Sequence, residues 1–298
     1  MTPPKVGAVV LHYRNWPAIR ATIDSLLAQS APADAVVVVD NHSGGAAPSE
    51  IAGAYPQAQI LAAPANLGYA GGMNLGIERM LEQGMDHILL LTHDCVLDPH
   101  CLHRLSGRMQ QNHRLGAVGP LLSYRSDPGR VWSAGGIVKR ATRNTDHWGS
   151  GEPVSDWANR PPRRVEWLDG ACVLLRADAL RLAGSLNERY FLYYEEAEYL
   201  VKLAEQGWRV ECIAAARAAQ EPSPIAPYFR TRNSLGFIQA TAPGRFVAGE
   251  ILRVLRDVAA DLVRPAAPTQ RHSVTARLRG LVDFLLGRWG PPDHRLGR

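Results

Sequence analysis

The chain has 298 residues, 46% of them hydrophobic, and a net charge of +5, which places it among globular proteins with a sizeable core and excludes a fibrous or disordered chain. No apolar run reaches the roughly 18 residues a membrane helix needs, and the start from Met1 to Lys5 lacks the apolar stretch of a secretory leader, so a cytoplasmic address is expected. Lys5, Lys139 and Lys202 are the only lysines, so the basic character is arginine, whose planar fork suits phosphate or carboxylate.

In chain order, Val6 to Leu11 and Ala35 to Val39 are continuous apolar runs that predict strands buried on both faces. Between them, Trp16 to Gln29 places Ile19, Ile23, Leu26 and Leu27 at helical spacing, giving a βαβ unit with a right-handed crossover. The pattern repeats with a strand at Gln59 to Ala62, a helix at Gly72 to Gln83 and a strand at His87 to Leu91 that ends in Thr92-His93-Asp94. A helix from about Pro99 to Gln111 precedes strands at Gly116 to Pro120 and Val131 to Val138. The Gly-, Pro- and Arg-rich stretch from Arg140 to Pro162 is expected to be a mobile lid. Val165 to Arg176 reads as a strand interrupted by Asp169-Gly170, followed by helices at Ala177 to Ala183 and Glu195 to Gln206. From Pro243 onward the pattern predicts two helices around a break at Arg264 to Pro268, the first striped by Val247, Ile251, Leu255, Val258 and Leu262, with Pro291 to Arg298 frayed. The organisation is an α/β domain over residues 1–240 and a helical extension over 241–298.

Four constellations carry chemistry. Asp40 ends a buried strand and is followed by Asn41, His42 and Ser43, so it either meets a nucleoside or caps a turn. Asn66 to Asn74, with Gly68, Gly71 and Gly72, is a glycine-rich turn opening a helix, suited to a phosphate or sugar or to a plain tight turn. Asp94 follows the most hydrophobic strand, where a carboxylate can hold Mg²⁺ or Mn²⁺ against a diphosphate. Glu195, Glu196 and Glu198 crowd one helical turn, so repulsion is expected to raise at least one pKa toward that of a general base. Ligands bind at the carboxyl ends of strands in open α/β sheets, so Asp40, Asn66 and Asp94 are expected to share one crevice. Cys95, Cys101, Cys172 and Cys212 show no zinc spacing and are expected to be reduced and buried.

The order of these segments resembles family 2 glycosyltransferases, particularly the rhamnosyltransferase-like branch. The matching stretches are Val38-Val39-Asp40-Asn41-His42-Ser43, Asn66 to Gly76, Leu91-Thr92-His93-Asp94, Asp169-Gly170-Ala171, and Phe191 to Glu198, together spanning roughly residues 5 to 240. The resemblance implies a GT-A fold, a mostly parallel central sheet flanked by helices, acting on a TDP- or UDP-linked sugar and a hydroxyl acceptor. It implies that Asp40, the Asn66, Gly68, Gly71, Gly72 and Asn74 segment, His93 and Asp94 bind the nucleotide-sugar. By the same resemblance Asp94 binds Mg²⁺ or Mn²⁺, Asp169, Gly170 and Glu195 bind the acceptor, and Glu196 is the catalytic base of an inverting displacement. Arg232-Asn233 matches an Arg-Asn pair placed similarly downstream, and Arg279-Gly280-Leu281 through Trp289-Gly290 resembles the tail of this branch.

Three positions depart from the family pattern. Thr92 stands where an Asp or Asn opens the DxD-like triplet, Gln220 stands where a metal-binding His is common, and Glu196 replaces an Asp. These departures motivate a competing reading, a nucleotide-sugar-binding member without transfer activity. A nucleotidyltransferase would want a basic glycine-rich signature after the first strand, which His12 to Pro17 does not supply. The arginines after Arg230 dot an amphipathic pattern without interleaved aromatics, which favours an anionic partner, a peripheral membrane surface or a homodimer over nucleic acid.

Overall fold

The computed structural model describes residues 3–44, 47–263 and 268–292. The first half alternates strands and helices: β1 (Val6–His12), α1 (Trp16–Leu27), β2 (Ala35–Asp40), α2 (Ala47–Ala54), β3 (Gln59–Ala62), α3 (Gly68–Glu82), β4 (His87–Thr92), β5 (Val96–Leu97) and α4 (Cys101–Gln111). Strands dominate next, with β6 (Leu115–Tyr124), β7 (Val131–Ser133), β8 (Gly136–Val138), β9 (Thr145–His147), β10 (Arg163–Arg164) and β11 (Cys172–Arg176). The chain closes with α5 (Ala177–Ala183), α6 (Glu195–Glu205), β12 (Arg209–Gln220), α7 (Pro227–Thr241), α8 (Gly244–Val263) and α9 (Pro268–Leu285).

The main sheet runs β10-β12-β6-β11-β4-β1-β2-β3, with β5 on β12 and β7 on β6. β1, β2, β3 and β4 are mutually parallel, and β12 is parallel to β6, while β11 lies antiparallel to both β4 and β6. The continuous apolar runs pack on both faces. Val9, Leu11, Val37 and Val39 meet Met73, Ile77 and Met80 of α3, whereas Ala8, Val10, Val36 and Val38 meet Ile19, Ile23 and Leu26 of α1 and Leu105 and Met109 of α4. Each such side chain contributes about 1.5–3 kcal/mol on leaving water. Helix α1 starts where Asn15 accepts the Ala18 N–H at 3.3 Å with a proline in its first turn.

Several expectations change. Helix α3 begins at Gly68, four residues before the expected Gly72, so most of the glycine-rich turn is helix. The strand read over Val165 to Arg176 is formed only from Cys172, because Asp169 turns the chain and accepts the Ala171 N–H. The strand expected over Val131 to Val138 splits at Gly135, whose φ of +77° ends the ladder. The stretch from Arg140 to Pro162 is not a free lid: it contains β9 and a 3₁₀ turn whose Trp157 is buried in the core. On α8 the buried line runs through Val254 and Val258, while Leu255 and Leu262 of the expected stripe are exposed, since at 3.6 residues per turn the contact face drifts off a straight i, i+4 line. Helices α7, α8 and α9 share a small core of Leu235, Val254, Leu281 and Phe284. The expected break at Arg264 to Pro268 lies outside the described residues except Pro268, as do 293–298 of the expected frayed end. All four cysteines are buried and free.

Candidate active site

Register fixes the site. His12 pairs with Asp40 and Leu11 with Thr92, so β1 brings the ends of β2 and β4 to one edge of the sheet, and the Thr92 N–H donates to the Ala171 carbonyl to add the Asp169 turn. Two cavities open there. One of about 400 Å³ is walled by Asn41, Asn66, Gly68, His93, Asp94, Gly170 and Glu195, and a second of about 250 Å³ by Trp132, His147, Trp167 and Tyr194. Asp169, Tyr193, Glu196 and Gln220 belong to both walls, so Glu196 stands where the cavities meet.

Not every expected ligand residue reaches the larger cavity. Asn66 does, and its Oδ1 accepts from Asn41 Nδ2 at 3.1 Å and from the Gly68 N–H at 3.0 Å. Gly71, Gly72 and Asn74 do not wall it. Gly71 lies against Leu67 and Glu188, Gly72 against Leu11 and Asn41, and Asn74 donates to the Leu186 carbonyl at 3.0 Å and to Glu188 at 2.8 Å while accepting the Leu186 N–H. Asn74 thereby ties α3 to the segment that leads into α6. Asp40 is buried behind the cavity; Oδ2 accepts the Ser43 N–H at 3.4 Å, and Oδ1 has no partner among the described residues. Burial keeps His93 below its ordinary pKa, hence neutral.

Asp94 is held by Thr92 Oγ1 at 2.7 Å and by Gln220 Nε2 at 3.2 Å. No group of three or more metal-ligating side chains occurs among the described residues. The donors present do suit a cation carried mainly by phosphate oxygens, the arrangement in which Mg²⁺ needs only one or two protein carboxylates. Asp94 would be that carboxylate, and such a cation would supply charge neutralisation of a diphosphate.

Helix α6 presents the acidic cluster. Its capping residue Tyr194 has φ +76°, and Phe191 and Tyr193 are also left-handed at φ +67° and +72°. This run is fixed by contacts beyond it: the Tyr69 N–H donates to the Phe191 carbonyl at 2.8 Å, and Tyr69 Oη reaches the Gly170 carbonyl at 2.7 Å. Burial raises Glu195 to about 7, with hydrogen bonds from backbone N–H groups opposing it. Burial also raises Glu196 well above the carboxylate range, and the neighbouring Glu195 and Asp169 add to the effect. Desolvation rather than the expected mutual repulsion is thus the main cause. Glu198 behaves oppositely: burial alone would raise it, but hydrogen bonds from Lys202, Tyr190 and Asn187 outweigh that and hold it below its ordinary value. Its role is to anchor the helix.

The wall of the smaller cavity was not legible in the sequence. Trp132 packs its ring 4.5 Å from His147, which lies 4.7 Å from Trp167, and Trp132 Nε1 donates to Asp169 at 3.2 Å. The three come from β7, β9 and the loop before β11, so spacing alone could not unite them.

A nucleotide-scale cavity at the carboxyl edge of a mostly parallel sheet, joined beside a carboxylate to a second cavity, can hold an activated substrate and an acceptor side by side. The family model described as "Glycosyl transferase family 2" matches residues 8–165, and the chain belongs to that family, as a family 2 glycosyltransferase. It is 27% identical over 67% of its length to an N-acetylglucosaminyl-diphospho-decaprenol L-rhamnosyltransferase of Mycobacterium tuberculosis, spanning 70% of that protein. It is 29% identical over 68% of its length to a galactofuranosyltransferase of the same organism, spanning 65% of it. Among solved structures, a mannosyltransferase from Pyrobaculum calidifontis in complex with GDP-Man and Mn²⁺ superposes with a TM-score of 0.60 at 14% identity, over 96% of this chain and 88% of that one. The resemblance to the rhamnosyltransferase-like branch read from the motifs is thus supported by a curated relative of that activity.

Proposed function

We propose that the chain transfers a deoxyhexose such as rhamnose, with inversion, from a TDP- or UDP-linked donor to a hydroxyl of a lipid-linked saccharide. The carrying observation is the position of Glu196 at the junction of the two cavities, with a carboxylate whose proton affinity is raised by burial. In this reading the donor lies in the larger cavity with its nucleoside toward Asp40 and its diphosphate toward Asp94. The acceptor enters the smaller one. Glu196 takes the acceptor proton as the hydroxyl oxygen attacks the anomeric carbon from the face opposite the diphosphate; the bond to the diphosphate oxygen breaks and its electron pair leaves with that oxygen. A base within hydrogen-bond reach and with a raised pKa is suited to this step. Asp169 and Glu195 orient the sugar hydroxyls, and closeness of the two substrates supplies much of the rate. The donor class and the lipid-linked acceptor are drawn from the rhamnosyltransferase relative.

No helix among the described residues is long and apolar enough to cross a membrane. Leu252, Leu255 and Leu262 of α8 and Val282 and Leu285 of α9 are nevertheless exposed, with Arg256 and Arg288 beside them, a pattern that supports peripheral contact with the inner face of a membrane. Homodimerisation through the same face would show as a concentration-dependent mass in solution. The activity is tested by incubating the protein with TDP- and UDP-sugars, Mn²⁺ and lipid-linked saccharides, and reading the anomeric configuration of the product by NMR. Retention of configuration would overturn the direct displacement. A second reading, nucleotide-sugar binding without transfer, is favoured by Gln220 and Glu196 at the departing positions; calorimetry that detects nucleotide with no turnover of any acceptor would support it instead.

A further inference from the structure

The left-handed run that leads into α6 is held from behind by a group with no part in the chemistry. Asn233, fully buried on α7, donates through Nδ2 to the carbonyls of Tyr190, Leu192 and Tyr193 at 3.2, 2.7 and 3.1 Å. Its neighbour Arg232, also buried, donates to the Tyr190 carbonyl at 2.9 Å, to Asn233 Oδ1 at 3.0 Å and to the Gly290 carbonyl at 2.8 Å. The Gly290 N–H returns to the Arg189 carbonyl at 2.9 Å, and Trp289 lies edge-on to Tyr190 at 5.9 Å. Among the described residues no carboxylate is within ion-pair distance of Arg232; Asp283 is linked to it through Tyr228, whose hydroxyl accepts from Arg232 and donates to Asp283 at 2.8 Å. Burying a guanidinium against neutral carbonyls costs stability, since no opposite charge offsets its lost hydration. The arrangement is well suited to fixing backbone.

We propose that Arg232 and Asn233, backed by Trp289 and Gly290, are positioning residues that aim Glu196, so that the segment after α9 is part of the catalytic apparatus. The proposal rests on the assignment of Glu196 as base. Segment 190–193 offers four carbonyl-bearing residues in succession, three of them bonded to Asn233, and two of the four are left-handed. Release of these carbonyls lets the run relax toward right-handed backbone, which rotates the first turn of α6 and moves the Glu196 carboxylate off the junction. The groups facing Glu196 are Glu195 on its own helix, Tyr194 that caps it, Asp169, Tyr193, Tyr69 from α3, His147 from β9 and, across the larger cavity, Asp94. Loosening the run also admits water to this set.

The test compares full-length Asn233→Ala, Trp289→Ala and Glu196→Gln. Asn233→Ala is expected to lower kcat roughly tenfold to a hundredfold, as a misplaced catalytic group does, with donor KM and the Kd of UDP or TDP by calorimetry within about two-fold of the parent. Because water would lower the raised pKa of Glu196, the acid limb of its kcat profile moves to lower pH, a change that general loss of folded protein does not produce. Trp289→Ala gives the same pattern at smaller amplitude and carries the test if Asn233→Ala does not fold. Unchanged kcat in the folded variants, or nucleotide affinity falling in step with kcat, would overturn the proposal. Full activity in Glu196→Gln would instead indict the base assignment, whereas an inactive Glu196→Gln beside a normal Asn233→Ala would sink the positioning role alone.

Discussion

Replacing Gly68 by alanine probes the joint between the donor side and the base. Gly68 has φ +72°, and a Cβ built there would stand 2.0 Å from the Phe191 carbonyl oxygen and 2.7 Å from its carbon. A left-handed alanine costs about 1–2 kcal/mol. The clash is with backbone, so it cannot be relieved by a side-chain rotation; α3 or the 191 segment must move, and the Tyr69 N–H to Phe191 hydrogen bond of 2.8 Å is lost, at about 1 kcal/mol. Together these give about 2–3 kcal/mol before any residual clash, which at roughly 2 °C per kcal/mol for a chain of this size lowers Tm by about 4–6 °C. Differential scanning calorimetry reads the shift, and the same preparation is assayed for transfer, which should fall because Phe191 lies four residues before the first carboxylate-bearing turn of α6. A Tm within about 1 °C of the parent, with unaltered transfer, would refute the claim that backbone contact at this joint is tight.

Glu196→Gln should lower kcat by about 10²–10⁴-fold with nucleotide affinity retained, and in the parent enzyme kcat should rise with pH through the raised pKa of Glu196, the base acting only when ionised. Glu195 is protonated more readily in the folded chain than in the unfolded one, so its contribution to stability is full below its unfolded pKa and is lost as pH climbs through about 7; urea titrations should show Glu195→Gln gaining on the parent between pH 5 and pH 8. Asp94→Asn should weaken UDP binding in Mn²⁺ by about tenfold while leaving binding in EDTA unchanged; equal loss in both would remove Asp94 from any cation. Trp132→Ala should raise acceptor KM several-fold with donor KM unmoved, and a donor-side effect would reassign the smaller cavity.

The strands β1, β2 and β4 were legible because a strand buried on both faces leaves an unbroken apolar run, and the polar residues that end such runs must lie at one sheet edge. For the same reason Asn66 and Asp94 could be foreseen in one crevice, whereas Asp169 and Glu196, which end no apolar run, joined them only through the family resemblance. Gly71, Gly72 and Asn74 misled because glycine serves close packing and ligand approach alike, and only coordinates reveal that Asn74 reaches back to Leu186 and Glu188. Strand β12 and helix α7 were not anticipated: Arg209–Gln220 mixes alanine with charged residues and carries an irregular register against β6 near Ile213 and Arg217, while α7 is buried on several sides and shows no one-sided apolar stripe. For the acidic cluster residue type foretold a raised carboxylate but not that burial leads the cause, nor that Glu198, salt-bridged, would go the other way.

Strand β11 points against both of its neighbours, and this reversal decides which stretch of chain meets the substrate. For a forward strand the exit loop faces the ligand; for β11 it is the approach, Val165 to Ala171, that does so. The stretch between β7 and that approach packs Val138, Val154 and Trp157 into the core, yet it lies apart from the strand ends that bear Asp40 and Asp94. With the donor and acceptor sides assigned as proposed above, the two tasks fall on separate stretches of chain, acceptor contact on the approach to β11 and the grip on the activated sugar on the strand ends.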